Sequence, residues 1–255
     1  MLLGIELPNE VRPLGDDELD RLRLLRPTSI KFRPHHAHSG AAEQALNLMA
    51  DLGVTPHVLL RPDEDGSDPP STFSEIHRVL DWLGSRDVGA CVEVDNEPNM
   101  GSRNLDPRGW LNGWRGFMEN MQIHWPWVPL VSPGLAVLQD EESWNAMLDS
   151  VPRFIFRGNH FYWEGEAGFA SPAFMDRPFQ PFGRNIQRMA TEVGDSSEDP
   201  WELKIQRIMS ALRRLDRGGY VAAYLFILGG TDEWARFFPP ADACEAFGLA
   251  FGAPS

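Results

Sequence analysis

The chain has 255 residues, 42% of them hydrophobic and 24% charged, and a formal net charge of −14. That length holds a sizeable core and suits one α/β barrel, which typically takes about 250 residues. The acidic balance excludes nucleic acid as a partner, because nothing here neutralises a phosphate backbone, and it disfavours a strongly anionic polymer as substrate.

In chain order, apolar runs that stop at turn residues alternate with helical patterns. A strand is expected over 2–7 and a helix with an acidic start over 17–25. A strand over 29–33 precedes a helix over 41–52, which ends on Gly53, a helix-stop signal. A strand over 56–61 and a polar, Pro-rich loop lead to an amphipathic helix over 73–83. Next come a strand over 90–96 and an amphipathic helix over 107–123. A strand over 129–133 is followed by a helix over 141–151, opened by acidic residues that suit a helix N-terminus. A strand over 158–163 leads to 173–188, where Pro178 and Pro181 imply a broken or very short helix. A strand over 187–193, a clear helix over 201–215, a strand over 220–228 and a helix over 242–251 complete the chain.

Successive strand ends lie about 26 to 37 residues apart, and a strand, a helix and two loops need roughly 30. Alternating βα units imply a parallel sheet. Eight of them with nothing left over imply a single (β/α)8 TIM barrel over residues 1–255. The competing reading is an open doubly wound sheet. It lacks support, because no G-x-G-x-x-G or G-x-x-x-x-G-K-[ST] loop follows any strand.

No run of about 18 apolar residues occurs, so no membrane span is expected. Met1-Leu2-Leu3-Gly4-Ile5-Glu6 has neither the basic nor the apolar region of a signal peptide. The protein is expected to work in the cytoplasm or to be exported by a signal outside this sequence. Cys91 and Cys244 lie in different expected elements and read as buried thiols.

Two glutamates end strand-like runs. Glu97 stands in Val94-Asp95-Asn96-Glu97-Pro98, and Glu192 in Ala190-Thr191-Glu192-Val193-Gly194. They fall at the C-terminal ends of strands 4 and 7, and in a barrel these ends form the active-site face. Strands 4 and 7 lie on different sides of the ring, so the two side chains can face each other across its mouth. Glycosidic bond cleavage needs such a pair: one carboxyl protonates the leaving oxygen, and the other attacks or activates water.

Asn96-Glu97-Pro98 and Thr191-Glu192-x-Gly194 at these strand ends resemble the retaining glycoside hydrolases of the large barrel clan, which includes cellulase-, mannanase- and xylanase-type enzymes. The nearest match is glycoside hydrolase family 5. Glu93, four residues before Glu97, fits its strand 4, and His160-Phe161-Tyr162 fits the His-x-Tyr of its strand 6. Arg33 fits the Arg of its strand 2. Arg61-Pro62-Asp63 stands where members often carry a His. The clan's aromatic after strand 8 corresponds to Trp234 or, closer to the strand end, Phe226.

The resemblance implies that Glu97 is the general acid/base and Glu192 the nucleophile. Glu97 must then hold a proton near neutral pH, and Glu192 must stay ionised. Arg33 by charge and the Tyr162 hydroxyl by hydrogen bond would serve Glu192. Asn96 would donate to the sugar 2-hydroxyl, and His160 would orient substrate or the acid pair, unless it is a core histidine bonded to backbone. Trp163 and Trp234 would stack sugar rings, and Glu6 is a polar candidate at the rim. Trp110, Trp114, Trp144 and Trp201 fall on helices and read as helix–barrel packing. Trp125 and Trp127 read as structural.

The implied partner is an oligo- or polysaccharide with β-linkages, cut internally and without a cofactor. Two alternatives stay open. The first starts from His35-His36-x-His38 after strand 2, because metal-dependent hydrolases use His clusters at barrel strand ends. Such enzymes usually draw further ligands from strands 1 and 5, where this sequence offers Glu6 and Ser132-Pro133. The second is a carbohydrate-binding barrel without turnover, which would keep the same cleft. No metal is expected.

Overall fold

The computed structural model describes residues 1–8, 10–62, 69–99, 106–135, 141–170, 186–226 and 237–252. Eight parallel strands close into a barrel in sequence order. They are β1 (Leu2–Glu6), β2 (Ser29–Phe32), β3 (His57–Leu60), β4 (Gly89–Glu93), β5 (Leu130–Val131), β6 (Phe154–Trp163), β7 (Gln187–Asp195) and β8 (Tyr220–Leu225). β1 pairs with both β2 and β8, which closes the ring. The described helices are α1 (Asp16–Leu25), α2 (Pro34–Ser39), α3 (Ala41–Asp51), α4 (Pro69–Gly84), α5 (Pro107–His124), α6 (Glu141–Asp149), α7 (Gly165–Phe169), α8 (Trp201–Arg217) and α9 (Ala241–Phe251). None of them is long and apolar enough to cross a membrane.

Strand alternation divides the core in two. Leu3, Ile5, Ile30, Phe32, Val58, Leu60, Val92 and Phe161 face outward into one large cluster shared with the helices. Leu59, Val131, Met189, Ala222 and Tyr224 form a small apolar plug inside the ring. The Tyr224 ring lies across Gly4, where any Cβ would collide with it. Above this plug the inward positions become polar: Glu6, Lys31, Arg61, Glu93, His160 and Glu192 are all buried.

Several boundaries differ from the sequence reading. β6 starts at Phe154, four residues before the expected position, because Leu130 and Val131 of the short β5 pair with Phe154 and Phe156. Arg157 falls in an expected loop, yet it is buried and donates to Asn145 of α6. β2 stops at Phe32, because Arg33 caps α2 and Pro34 occupies its first turn, where a missing N–H costs nothing. The broken helix expected over 173–188 falls mostly outside the described residues, and its last two positions belong to β7.

Candidate active site

Glu97 follows β4 after a short irregular segment. Asn96 bridges to Gly134, and the Glu97 N–H donates to the Gly134 carbonyl at 3.0 Å. Asp95 and Glu97 both take left-handed backbone, with φ of 84° and 43°. For residues other than glycine this is a strained setting that surroundings must enforce. Asp95 shows how. Its carboxylate accepts from the Asn96 N–H at 2.8 Å and from Trp110 Nε1 of α5 at 2.8 Å. Trp110 is thus a packing residue, as expected, and also a clamp on the turn that aims Glu97.

Glu192 reaches the interior through a bulge. Asn159 of β6 pairs with Ala190 of β7, but His160 pairs with Glu192, so Thr191 is an extra residue. Met189 faces the barrel interior. Unbroken alternation from there would point Thr191 inward and Glu192 outward. The added residue reverses this parity, a use of bulges that recurs beside active sites.

Inside the mouth, Glu192 Oε1 accepts from Lys31 Nζ at 2.7 Å and from Arg61. Its Oε2 accepts from the Tyr162 hydroxyl and lies 3.4 Å from His160 Nδ1. His160 Nδ1 is also 2.8 Å from Glu97 Oε1. Carboxyl oxygens of Glu97 and Glu192 lie within 4.8 Å of each other. Lys31 Nζ sits 3.3 Å from Glu6 and 3.2 Å from Glu93. Arg61 reaches Glu6 at 3.3 Å and donates to Asn96 Oδ1 at 2.9 Å.

These contacts separate the two carboxyls. Burial pushes Glu192 toward the neutral form, but His160, Lys31 and Arg61 outweigh it and hold its pKa well below the ordinary range. The side chain of Glu97 is 17% exposed against 5% for Glu192. Burial and the Glu192 charge keep Tyr162 protonated far above its usual range, so its hydroxyl stays a donor. Burial works against a charge on His160, yet Glu192 and Glu97 raise its pKa. Burial and the Arg61 charge oppose protonation of Lys31, and its three carboxylate neighbours reverse that.

Glu97, Glu192, Asn96, His160 and Tyr162 converge on this mouth. Other expectations need correction. The cations on Glu192 are Lys31 and Arg61, which the sequence reading did not place there. Arg33, two residues beyond Lys31, is half-buried at the cap of α2, and its charge acts on Glu6. Trp163 is 4% exposed and packs on Phe169 in the outer core. It cannot stack a sugar there, because alternation turns Tyr162 inward and Trp163 outward. Glu6 is 1% exposed, so it lies beneath the mouth instead of at its rim. Trp234 lies outside the described residues. Phe226 is described and packs with Phe237 around Tyr162.

The ring nitrogens of His36 and His38 bond backbone groups of Arg33, Pro8 and Pro34. Among the described residues, the one grouping able to hold a metal is Glu97, His160 and Glu192. Two cations already pressed on Glu192 oppose a third there.

Comparison with known proteins follows the architecture. No protein-family model matches the chain, and neither does any curated protein. Solved structures do. A GH5 (subfamily 4) endo-β-1,4-glucanase from Bacillus licheniformis superposes with a TM-score of 0.64 at 12% identity, over 100% of this chain and 60% of that one. The barrel is GH5-like. Cellulose synthase subunit Z from Clostridioides difficile aligns to this GH5-like barrel with a TM-score of 0.63 at 13% identity, over 97% and 99% of the two chains. A GH30 endoxylanase from Clostridium papyrosolvens gives 0.61 at 12% identity, over 97% and 70%. At such identities the likeness is one of fold.

Proposed function

We propose that this GH5-like barrel is a retaining glycoside hydrolase acting within β-linked glycans, with Glu192 as nucleophile and Glu97 as general acid/base. One observation carries the reading. Two carboxyl groups, one from the turn after β4 and one from β7, approach within 4.8 Å in one mouth, and among the described residues fixed cations hold Glu192 but not Glu97. Retaining enzymes place their carboxyl groups about 5–5.5 Å apart, and inverting enzymes leave about 6.5–9.5 Å for a water.

The chemistry follows from the contacts. Lys31, Arg61 and Tyr162 keep Glu192 ionised and fix its orientation for attack on the anomeric carbon. Glu97 gives its proton to the leaving oxygen and later takes one from the incoming water. His160 touches both carboxyls and orients Glu97 between these steps. Arg61 donates to Asn96 Oδ1, so the Asn96 amide nitrogen is the group it offers to a sugar hydroxyl. Both steps run on side chains of the protein itself. The named function of the Bacillus licheniformis neighbour makes β-1,4-glucan the first substrate to try.

The test is a polysaccharide panel read by reducing-end release, with Glu97→Ala and Glu192→Ala alongside. Each variant should lose several orders of magnitude in turnover. Azide should rescue each, giving products of opposite anomeric configuration. Near-normal turnover in either variant would overturn the assignment.

A further inference from the structure

Glu6 is a carboxylate buried at the centre of the ring, out of reach of substrate, and its role is not explained by the reaction as written. Its Oε1 is 3.3 Å from Arg61, and its Oε2 is 3.3 Å from Lys31. Those same two cations hold Glu192. The Lys31 ammonium spends its aligned hydrogen bonds on Glu192 Oε1 and the Thr191 carbonyl. Glu6 Oε2 therefore has ion-pair proximity to Lys31 but no aligned donor among the described residues. It is close enough to take over the cation and does not yet do so.

Charge in this pocket explains why that matters. With Glu192 ionised, three carboxyls (Glu6, Glu93 and Glu192) face two permanent cations, Lys31 and Arg61. Burial and the Glu192 charge raise the Glu6 pKa against the pull of those cations, and loss of the Glu192 charge removes one of these two causes. The surrounding groups are Arg33 at the cap of α2, Glu97 after β4, and His160 and Tyr162 on β6. When Glu192 bonds to the anomeric carbon, the bond to the leaving oxygen breaks and that oxygen takes the Glu97 proton. Glu192 is then a neutral ester, and two buried cations lose their nearest counter-charge. An uncompensated buried charge is strongly destabilising. We infer that Glu6 is the stand-in counter-ion for Lys31 and Arg61 in the ester intermediate, a positioning residue that acts through those two cations. In the second step water bonds to the anomeric carbon, gives its proton to Glu97, and the ester electron pair returns to Glu192, which reclaims the cations from Glu6.

This inference rests on the retaining reading above. It predicts an asymmetric effect. Glu6→Gln leaves both cations concentrated on Glu192, which stabilises the free nucleophile and makes it a better leaving group. Ester formation slows and ester hydrolysis does not. A merely structural role would change stability without altering this partition.

The experiment is stopped-flow hydrolysis of 2,4-dinitrophenyl β-cellobioside, an activated glycoside whose ester intermediate accumulates in a burst. Wild type should show the burst. Glu6→Gln should slow the burst phase roughly tenfold or more, shrink its amplitude, and move the acid limb of the pH–rate profile to lower pH. Glu6→Asp keeps the charge and should fall between the two, which secures the test if Glu6→Gln folds poorly. An active wild type matched by Glu6→Gln in burst rate, amplitude and acid limb overturns the inference alone. A wild type inert toward this glycoside and unlabelled by its 2-fluoro analogue overturns the glycosidase reading and the inference with it.

Discussion

His160 and Glu192 stand side by side across the β6–β7 seam because Thr191 is one residue too many for regular pairing. The histidine is fully buried and reaches Glu97 at 2.8 Å, so the same seam ties both carboxyls together. The site is therefore a product of register as much as of residue type.

Tyr162 donates to Glu192, and its ring packs against Phe226 and Phe237 with centroids 5.4 and 5.9 Å away. Tyr162→Phe keeps the ring contacts and deletes the donor. A hydrogen bond to a charged group contributes about 1.5–3 kcal/mol to stability, so Tm should fall by roughly 3–10 °C, and kcat/KM should fall about 10- to 100-fold if the nucleophile draws on the same donor. The acid limb of the rate profile should rise, because Glu192 loses a group that favours its anion. A kcat/KM within about twofold of wild type, or an unmoved acid limb, would contradict this.

Lys31 is fully buried among Glu6, Glu93 and Glu192. Lys31→Met leaves those carboxylates without their shared cation. Breaking a buried pair on one side costs about 3–5 kcal/mol, or about 10 °C in Tm for a chain of this size. The loss should shrink as the pH is lowered and the carboxyls protonate. Thermal melts at several pH values check both size and sign.

Gly134 has its amide on Glu93 at 3.1 Å and its carbonyl on Glu97 at 3.0 Å. A Cβ there would collide with the His160 ring. Gly134→Ala should displace that ring from Glu97 and lower turnover by about 100-fold or more, the scale of a 1 Å misplacement in a site, while the far-UV spectrum stays barrel-like. Gly113 on α5 is the control, since nothing lies within 4 Å of its added Cβ. Gly113→Ala should leave activity intact and raise stability by about 0.5–1 kcal/mol.

Stability should fall on both sides of the mildly acidic range. Glu192 has a folded pKa well below its unfolded value. It stabilises the fold above about pH 4.3, and this contribution is lost as pH falls through the folded value. His160 has a raised folded pKa. Its contribution is full below about pH 6.5 and is lost as pH rises through the folded value. Glu192→Gln removes the first effect and the main charge supporting the second. A Tm–pH curve as steep for that variant as for wild type would refute the linkage.

Cys244 is buried as expected, whereas Cys91 is half-buried; desolvation pushes the Cys91 thiol up to about 11 and the Cys244 thiol up to about 12. At pH 8 fewer than about one thiol in a thousand is thiolate. Iodoacetamide should label neither in the native protein within an hour and both in guanidinium, as read by mass spectrometry.

Much of the barrel was legible because parallel strands buried on both faces repeat with helices at a regular spacing. Asn96-Glu97-Pro98 and Thr191-Glu192 stood out where apolar runs stop, although β4 ends four residues before Glu97 and β7 continues past Glu192 to Asp195. The cations did not. Lys31 lies inside β2, between Ile30 and Phe32, and a charge within a short strand reads as noise. The alternation Ser29-Ile30-Lys31-Phe32 did hold a signal: with Ile30 and Phe32 facing the helices, Lys31 must face the ring and be paired there. Arg61 was seen only as an unusual residue after β3, and its partner Glu6 lies 55 positions away in sequence. The Thr191 bulge left no local mark, since it is defined by pairing with β6. Trp163 was misread because its neighbour Tyr162 shares its chemistry but not its face.

The most direct measurement is covalent trapping with 2,4-dinitrophenyl 2-deoxy-2-fluoro-β-cellobioside, followed by peptide mapping of the inactivated protein. One glycosyl group on Glu192, and none when Glu192 is replaced by Gln, is the predicted result. A time-dependent adduct on Glu97, Glu6 or Glu93 instead, or β-glucan hydrolysis with inversion at the anomeric carbon, would contradict the central claim.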